Sequence, residues 1–351
     1  MTDSLLSAFP RLGASLRKMA LAELPTPVDT LQFESASGKR TIAIKHDDVT
    51  NASYGGNKIR KLEYILQRAR ERDATRIATF GTVGSNHALA TAILAVASGF
   101  DCSCLLLPDK STPNIPRTLN MHRRIGTELI PLGRGVDRLA TCRHYLQHRH
   151  CWVIPMGGSS WLGAVGFVNA GLELAQQIAA GELSLPARIY MANGTMGSNV
   201  GLSLGLALAE LPIELHAVRV VDERVANPLA FSRLQQKTTM MLRRLDRSIP
   251  ADLAQRTRLR WRDEFFAGGY AVADAATGNA VDRAATSLGL KIETTYTGKA
   301  MAALLHDLES PDYDGADYLF WNTYNSQPLP VTGARPPTRD NIPEEFMRYF
   351  D

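Results

Sequence analysis

The chain has 351 residues, a formal net charge of +4 at pH 7 and a 45% hydrophobic composition. That length suits about two domains with filled cores, and so mild a charge gives no reason to expect a nucleic-acid partner. No apolar run nears the ~20 residues of a membrane span, and residues 1–17 lack the charged start and apolar centre of a secretory leader, so a cytoplasmic protein is expected.

Taken in chain order, residues 1–23 read as an appendage, with a role in dimer contact or disorder left open. Residues 41–45 read as a strand. Gly55-Gly56 then permits positive φ, Asn57 is a good helix cap, and Ile59, Leu62, Ile65, Leu66 and Ala69 recur at helical spacing. Lys58 therefore falls in the first helical turn, where the positive end of the helix dipole lowers an ammonium's pKa. Residues 76–80 form a short apolar strand, followed by the turn Gly81-Thr82-Val83-Gly84-Ser85-Asn86-His87 and a small-residue helix over 88–98. A third unit repeats this order, with a strand over 187–192, the turn Asn193-Gly194-Thr195-Met196-Gly197-Ser198-Asn199 and a helix over 200–210. Strand, turn and helix in alternation argue for βα units and parallel sheets. Residues 333–351 read as a second appendage.

The four cysteines, Cys102, Cys104, Cys142 and Cys151, include no CxxC pair and make a poor chelate, so they read as reduced thiols and no metal site is expected. The arginines between 233 and 262 read as solvated helix faces or a subunit contact rather than an anion patch.

A turn rich in Gly, Ser and Thr at a helix start presents N–H and hydroxyl groups suited to a phosphate dianion. The turn at 194–198 is the candidate cradle. Its spacing is not GxxxxGK[ST], and GxGxxG is absent from the first strand-turn-helix unit, so ATP and NAD are poor readings. A cradle of this kind together with an activated lysine suits a phosphorylated aldehyde, and pyridoxal phosphate has both groups. Lys45 lacks a glycine turn and is the weaker choice for the Schiff-base lysine.

The pieces KHDDVTNASYGGNKIRKLEYI, GSNHALATA, IPMGGSSWLGAVGF, ANGTMGSNVGL, FFAGGYAV and YTGKAM, spread over residues 22–323, resemble one branch of the fold type II (tryptophan synthase β-like) pyridoxal-phosphate enzymes. That branch holds D-cysteine desulfhydrase and 1-aminocyclopropane-1-carboxylate (ACC) deaminase. The resemblance implies an α/β fold of two open, twisted, mainly parallel domains with the cofactor in the cleft. The large domain would be residues 1–58 and 167–351, the small one 59–166, and the assembly a homodimer. It further implies Lys58 as the lysine bonded to the cofactor, Asn86 beside the phenolic oxygen, and Ser85 acting on substrate. Gly194, Thr195, Met196, Gly197 and Ser198 would hold the phosphate, with Lys61 either in support or solvated. Tyr270 and Tyr296 would face the substrate as acids, Thr323 would lie near the pyridine nitrogen, and Ser85, Asn86 and His87 would bind the carboxylate at their helix start; Tyr270 and His87 also have plain packing readings.

Two departures bear on the reaction. ACC deaminases carry a glutamate directly after the tyrosine, whereas Tyr296 is followed by Thr297-Gly298-Lys299. The implied ring is a weaker electron sink, which favours β-elimination over cyclopropane opening. Desulfhydrases usually read His-Thr-Gly-Gly where this chain has Asn322-Thr323-Tyr324-Asn325-Ser326, and relatives often have a glutamine before the serine at position 85. The expected activity is elimination of a sulfur group from a small amino acid, with pyruvate, ammonia and sulfide as products. L-cysteate sulfo-lyase, ACC deaminase, β-replacement, racemisation and a non-catalytic cofactor-binding role remain as alternatives, and the enantiomer stays open.

Overall fold

The computed structural model describes residues 3–35, 38–112, 114–132, 143–144, 147, 150–313, 315–329 and 342–350. Its strands are β1 (Val28–Ser35), β2 (Gly38–His46), β3 (Arg76–Thr82), β4 (Asp101–Leu107), β5 (Glu128–Pro131), β6 (Cys151–Ile154), β7 (Arg188–Asn193), β8 (Glu214–Arg219), β9 (Leu259–Arg262) and β10 (Tyr318–Asn322). Its helices are α1 (Ser4–Ala8), α2 (Lys58–Arg70), α3 (Asn86–Ala97), α4 (Asn114–Ile125), α5 (Trp161–Ala179), α6 (Gly197–Leu208), α7 (Pro228–Leu245), α8 (Ala275–Leu288), α9 (Thr297–Leu308) and α10 (Glu344–Met347). Among the described residues, no helix is long and apolar enough to cross a membrane.

The chain divides into two compact units, one of residues 1–17, 22–61 and 159–327, the other of 18–21, 62–158 and 328–351. The breaks fall inside α2 after its first turn and just before Ser159. The first break lies three residues after the expected 58/59 and the second eight before the expected 166/167, and residues 18–21 and 328–351 group with the second unit rather than the first. The first unit holds a six-stranded sheet in the order β1-β2-β10-β7-β8-β9. Its β1–β2 hairpin is antiparallel, with Val28 opposite Lys45, and every other pairing is parallel. The second unit holds the wholly parallel sheet β5-β4-β3-β6.

Central strand β10 is buried along its whole length, as expected of a parallel strand covered on both faces. The first unit's core joins Leu319 and Trp321 of this strand to Ile189 and Met191 of β7, and to Phe167, Leu174, Leu202 and Leu206 from α5 and α6. Those two helices cross with their backbones almost in contact. A Cβ at Gly201 would lie 2.1 Å from the Ala164 carbonyl oxygen, and one at Gly166 would lie 2.1 Å from that of Arg60. Missing side chains thus bring the first turn of α2 against α5, and α5 against α6.

The same turn of α2 is fixed by buried charges. Arg60 Nε and Nη2 donate to Asp47, Nη1 and Nη2 donate to Glu173, and Lys45 Nζ donates to Glu173 at 2.6 Å. Burial alone would raise the Glu173 carboxyl, but the Arg60 and Lys45 charges outweigh it and hold it at about 2. Lys45 is therefore a member of this ion cluster.

The terminal segments are not the appendages expected from sequence. Leu5, Leu12 and Leu16 are buried, and Leu5 N–H donates to Asn169 Oδ1 at 2.8 Å. At the other end Phe346 and Tyr349 are buried, and the Tyr349 hydroxyl bonds both the N–H and the carbonyl of Asp109. Apolar residues within polar, Pro-rich surroundings gave these segments little periodicity to read. Cys102, Cys104 and Cys151 are free and buried, while Cys142 lies outside the described residues. Arg262, among the arginines read as solvated helix faces or a subunit contact, is buried and paired with Asp307.

Gly201→Ala should lower stability by about 1–3 kcal/mol or more through backbone displacement, whereas Gly278→Ala in α8, where an added Cβ meets nothing within 4 Å, should be neutral or stabilising. Urea unfolding midpoints of the two variants check this, and equal midpoints would contradict the close-packed crossing.

Candidate active site

Lys58 opens α2 as a residue of intermediate exposure. Its Nζ donates to Asn57 Oδ1 at 2.7 Å, and Asn57 Nδ2 donates in turn to Ser198 Oγ at 3.0 Å. Asn57, read from its type as a helix cap, thus uses its side chain to link the lysine to the 194–198 loop. Its own N–H donates to the Thr323 carbonyl at 3.2 Å. Desolvation pushes the Lys58 pKa down to about 8, against the opposing pull of Glu293. The helix dipole invoked from sequence has the same direction, but burial is the principal cause.

The loop after β7 turns into α6 more sharply than expected. Met196 adopts φ 65°, a left-handed conformation, so α6 begins at Gly197 rather than at position 200. Gly197 and Ser198 consequently lie within the helix's first turn, where main-chain N–H groups lack intrahelical acceptors. Ser159 Oγ lies 2.8 Å from Thr195 Oγ1 and accepts the Gly197 N–H at 3.2 Å. A Cβ at Gly197 would stand 2.6 Å from Ser159 Oγ and 3.1 Å from Lys61 Nζ. The glycine leaves room where a serine, a threonine and a lysine meet. Lys61 is buried, which removes its solvated reading, and burial followed by repulsion from Lys58 pushes its pKa well below the usual lysine range. An anion at this loop would restore its charge.

A tyrosine pair stands beside the loop. A Cβ at Gly194 would touch Tyr296 Cε1 at 3.4 Å, and the Tyr296 hydroxyl lies 2.8 Å from that of Tyr270. Tyr296 is set by Glu293, whose Oε1 accepts the N–H groups of Tyr296 and Thr297 at 2.8 and 3.0 Å, and whose Oε2 accepts that of Thr295 at 2.7 Å. Thr323 is buried at the end of β10, next to Asn322. Asn193 Nδ2 and Oδ1 and Asn322 Nδ2 are buried without a hydrogen-bond partner among the described residues. They close the C-terminal ends of neighbouring strands β7 and β10, the edge at which open α/β sheets bind ligands.

In the second unit, Ser85 caps α3, its Oγ accepting the Ala88 N–H at 3.2 Å. Asn86 is the first helical residue and is partly exposed. His87 is buried, with Nε2 2.9 Å from Thr79 Oγ1 and Nδ1 3.5 Å from Thr91 Oγ1. Its ring is turned into its own unit, so what it can offer a carboxylate is its main-chain N–H. The set of residues around the loop includes three whose part went unread in the sequence: Ser159, Asn57 and Glu293. For Ser159 the signal existed, because Gly157-Gly158-Ser159-Ser160 is itself a glycine-hydroxyl turn ahead of a helix.

A family profile described as pyridoxal-phosphate dependent enzyme matches residues 19–323. The chain belongs to that family. The D-cysteine desulfhydrase of Salmonella choleraesuis is 34% identical over 329 residues, covering 91% of this chain and 94% of the relative. That of Salmonella paratyphi C is 33% identical with the same coverage. A crystal structure of an ACC deaminase homologue superposes with a TM-score of 0.71 at 26% identity over 92% of this chain and 95% of its own. A fungal L-serine ammonia-lyase from Rhizomucor miehei shares the fold, with a TM-score of 0.58 at 18% identity over 85% of this chain and 96% of its own. Pyridoxal phosphate is the cofactor of this pyridoxal-phosphate dependent enzyme, and the residues present fit it. The space beside Gly197, the hydroxyls of Ser159, Thr195 and Ser198, and Lys61 Nζ suit a phosphate, while Lys58 offers an amine of lowered pKa for an aldehyde.

Because only the neutral amine attacks an aldehyde, capture of pyridoxal phosphate by the cofactor-free protein should quicken as pH rises to about 8 and then level off. An unperturbed lysine would keep gaining to ~10.4, and stopped-flow absorbance across pH 6–11 tells the two apart. Ser159→Ala should weaken pyridoxal phosphate binding roughly tenfold and leave binding of pyridoxal, which has no phosphate, unchanged. Equal losses for both would remove Ser159 from the phosphate site.

Proposed function

We propose that this enzyme catalyses β-elimination from a small amino acid bearing sulfur on its β-carbon, with D-cysteine as the preferred substrate and pyruvate, ammonia and sulfide as products. The observation that carries this reading is the 34% identity to D-cysteine desulfhydrase across 91% of the chain. Bound at the 194–198 loop and at Lys58, the cofactor supplies the electron sink for negative charge at the substrate α-carbon. Lys58 Nζ takes the α-proton, a task for which a pKa of about 8 leaves a usable neutral fraction near pH 7. The Tyr270 and Tyr296 hydroxyls, 2.8 Å apart, act as one donor pair that gives a proton to the departing sulfur. Loss of the α-hydrogen as a proton and of the β-substituent as a thiolate leaves an unsaturated amine, which water converts to pyruvate and ammonia.

Thr195, Ser198, Ser159, Lys61 and the N–H groups of the α6 first turn hold the phosphate in this proposal, with Gly194, Met196 and Gly197 shaping the loop. Thr323 offers the pyridine nitrogen a neutral hydroxyl. The residue after Tyr296 is likewise neutral, and Thr297 Oγ1 donates to Glu293 Oε1 at 3.2 Å. No carboxylate therefore follows the tyrosine, which disfavours ring opening. For the amino-acid carboxylate we propose the start of α3, with Ser85, Asn86 and the His87 N–H as donors. A homodimer in the cytoplasm completes the proposal, and buried free thiols at Cys102, Cys104 and Cys151 suit a reducing compartment.

The test is to incubate the holoenzyme with D-cysteine, L-cysteine, L-cysteate and ACC while assaying keto acid, ammonia, sulfide and sulfite. D-Cysteine should give pyruvate and sulfide in equal amounts at the highest kcat/KM. Sulfite from cysteate or keto acid from ACC at a higher kcat/KM would replace this reading.

A further inference from the structure

Beside the tyrosine pair lies a buried lysine that the steps above do not use. Lys299 sits on the first turn of α9 and is fully buried. Its Nζ donates to the carbonyls of Phe266 at 2.6 Å and Gly269 at 3.0 Å, and lies 5.2 Å from the centre of the Phe266 ring. Both carbonyls belong to the turn that carries Tyr270. That turn has left-handed backbone at Ala267 (φ 57°), Gly268 (φ 75°) and Ala271 (φ 55°). For the two alanines this conformation is strained, and Gly268 adds no side chain to anchor it. The turn's internal main-chain bonds include one from Phe266 to Asp263 at 3.1 Å and one from Val272 to Gly269 at 3.4 Å. Two strained alanines flanking a functional tyrosine require support from outside the turn, and bonds from an ammonium to carbonyls are among the stronger kind.

We infer that Lys299 is a positioning residue, whose ammonium holds the carbonyls of Phe266 and Gly269 so that the Tyr270 hydroxyl stays within hydrogen-bonding distance of Tyr296. The arrangement is economical in chain terms, because Tyr296 immediately precedes α9 and Lys299 follows it by three residues. One helix start therefore sets both members of the pair: Tyr296 directly, through the Glu293 carboxylate beneath its N–H, and Tyr270 through Lys299. Arg219 also packs on this turn, its guanidinium 4.4 Å from the centre of the Phe266 ring.

This inference rests on the reading of Tyr270 and Tyr296 as a working pair, and the experiment separates the two. A double-mutant cycle of Lys299→Met and Tyr270→Phe is run on the holoenzyme with whichever amino acid the wild type turns over, so a substrate other than D-cysteine overturns the proposed function and leaves this test intact. Lys299→Met should lower kcat roughly a hundredfold, with a much smaller change in KM, and that loss should vanish when Tyr270 is already Phe. Amide hydrogen exchange over residues 266–271 should rise in the same variant while β7 and β8 keep their protection. Should Lys299→Met fail to fold, Lys299→Arg serves in its place, since a guanidinium fork cannot set one nitrogen between both carbonyls. A loss of equal size in the Tyr270→Phe background, or unchanged exchange in the turn, overturns the inference.

Discussion

The bond set around Arg60 decides where the reactive amine points. Its guanidinium is shared between Asp47 and Glu173, and its main-chain oxygen lies where a Cβ of Gly166 would be. Buried ion clusters are weak sources of net stability because desolvation offsets their attraction. Their value here is direction. A planar fork bound to two carboxylates allows one orientation, and the glycine contact allows one depth, so the first turn of α2 has no freedom to rotate. Lys58 lies two residues earlier on that turn and inherits its setting, and the crossing of α5 with α6 at Gly201 carries the same constraint to the 194–198 loop.

Electrostatics then divides the work between two lysines three residues apart. Burial lowers both, and the charge of Lys58 lowers Lys61 further. In the proposed site an anion at the loop would relieve Lys61, and a charged Lys61 would in turn favour the neutral form of Lys58 that attacks a carbonyl. Phosphate binding and amine activation would thereby be coupled through one helical turn. The N-terminus of α6 adds to the pull on the anion without adding a titrating group.

Much of this was readable from residue types. Parallel sheets followed from the strand-turn-helix alternation, and the Lys58 and 194–198 turns stood out because glycine, hydroxyl and lysine at helix starts have few structural uses. The start of α6 was misplaced by three residues, since nothing in the sequence marks Met196 as left-handed. Asn57 was read as a cap because its type caps helices, whereas a contact with Ser198, 141 residues away, decides its role. The same limit hid Glu293 and Lys299, whose partners come from turns without periodicity. The terminal segments were misjudged because a few leucines or aromatics at irregular spacing leave no pattern, although each is buried in its unit.

The claim on which the account turns is that Lys58 is the residue bonded to the cofactor. Borohydride reduction of the purified holoenzyme fixes the cofactor to its lysine, and peptide mapping by mass spectrometry locates the added mass. The pyridoxyl group is expected on Lys58. Its appearance on Lys45, Lys61 or Lys299, or on no lysine, would contradict it.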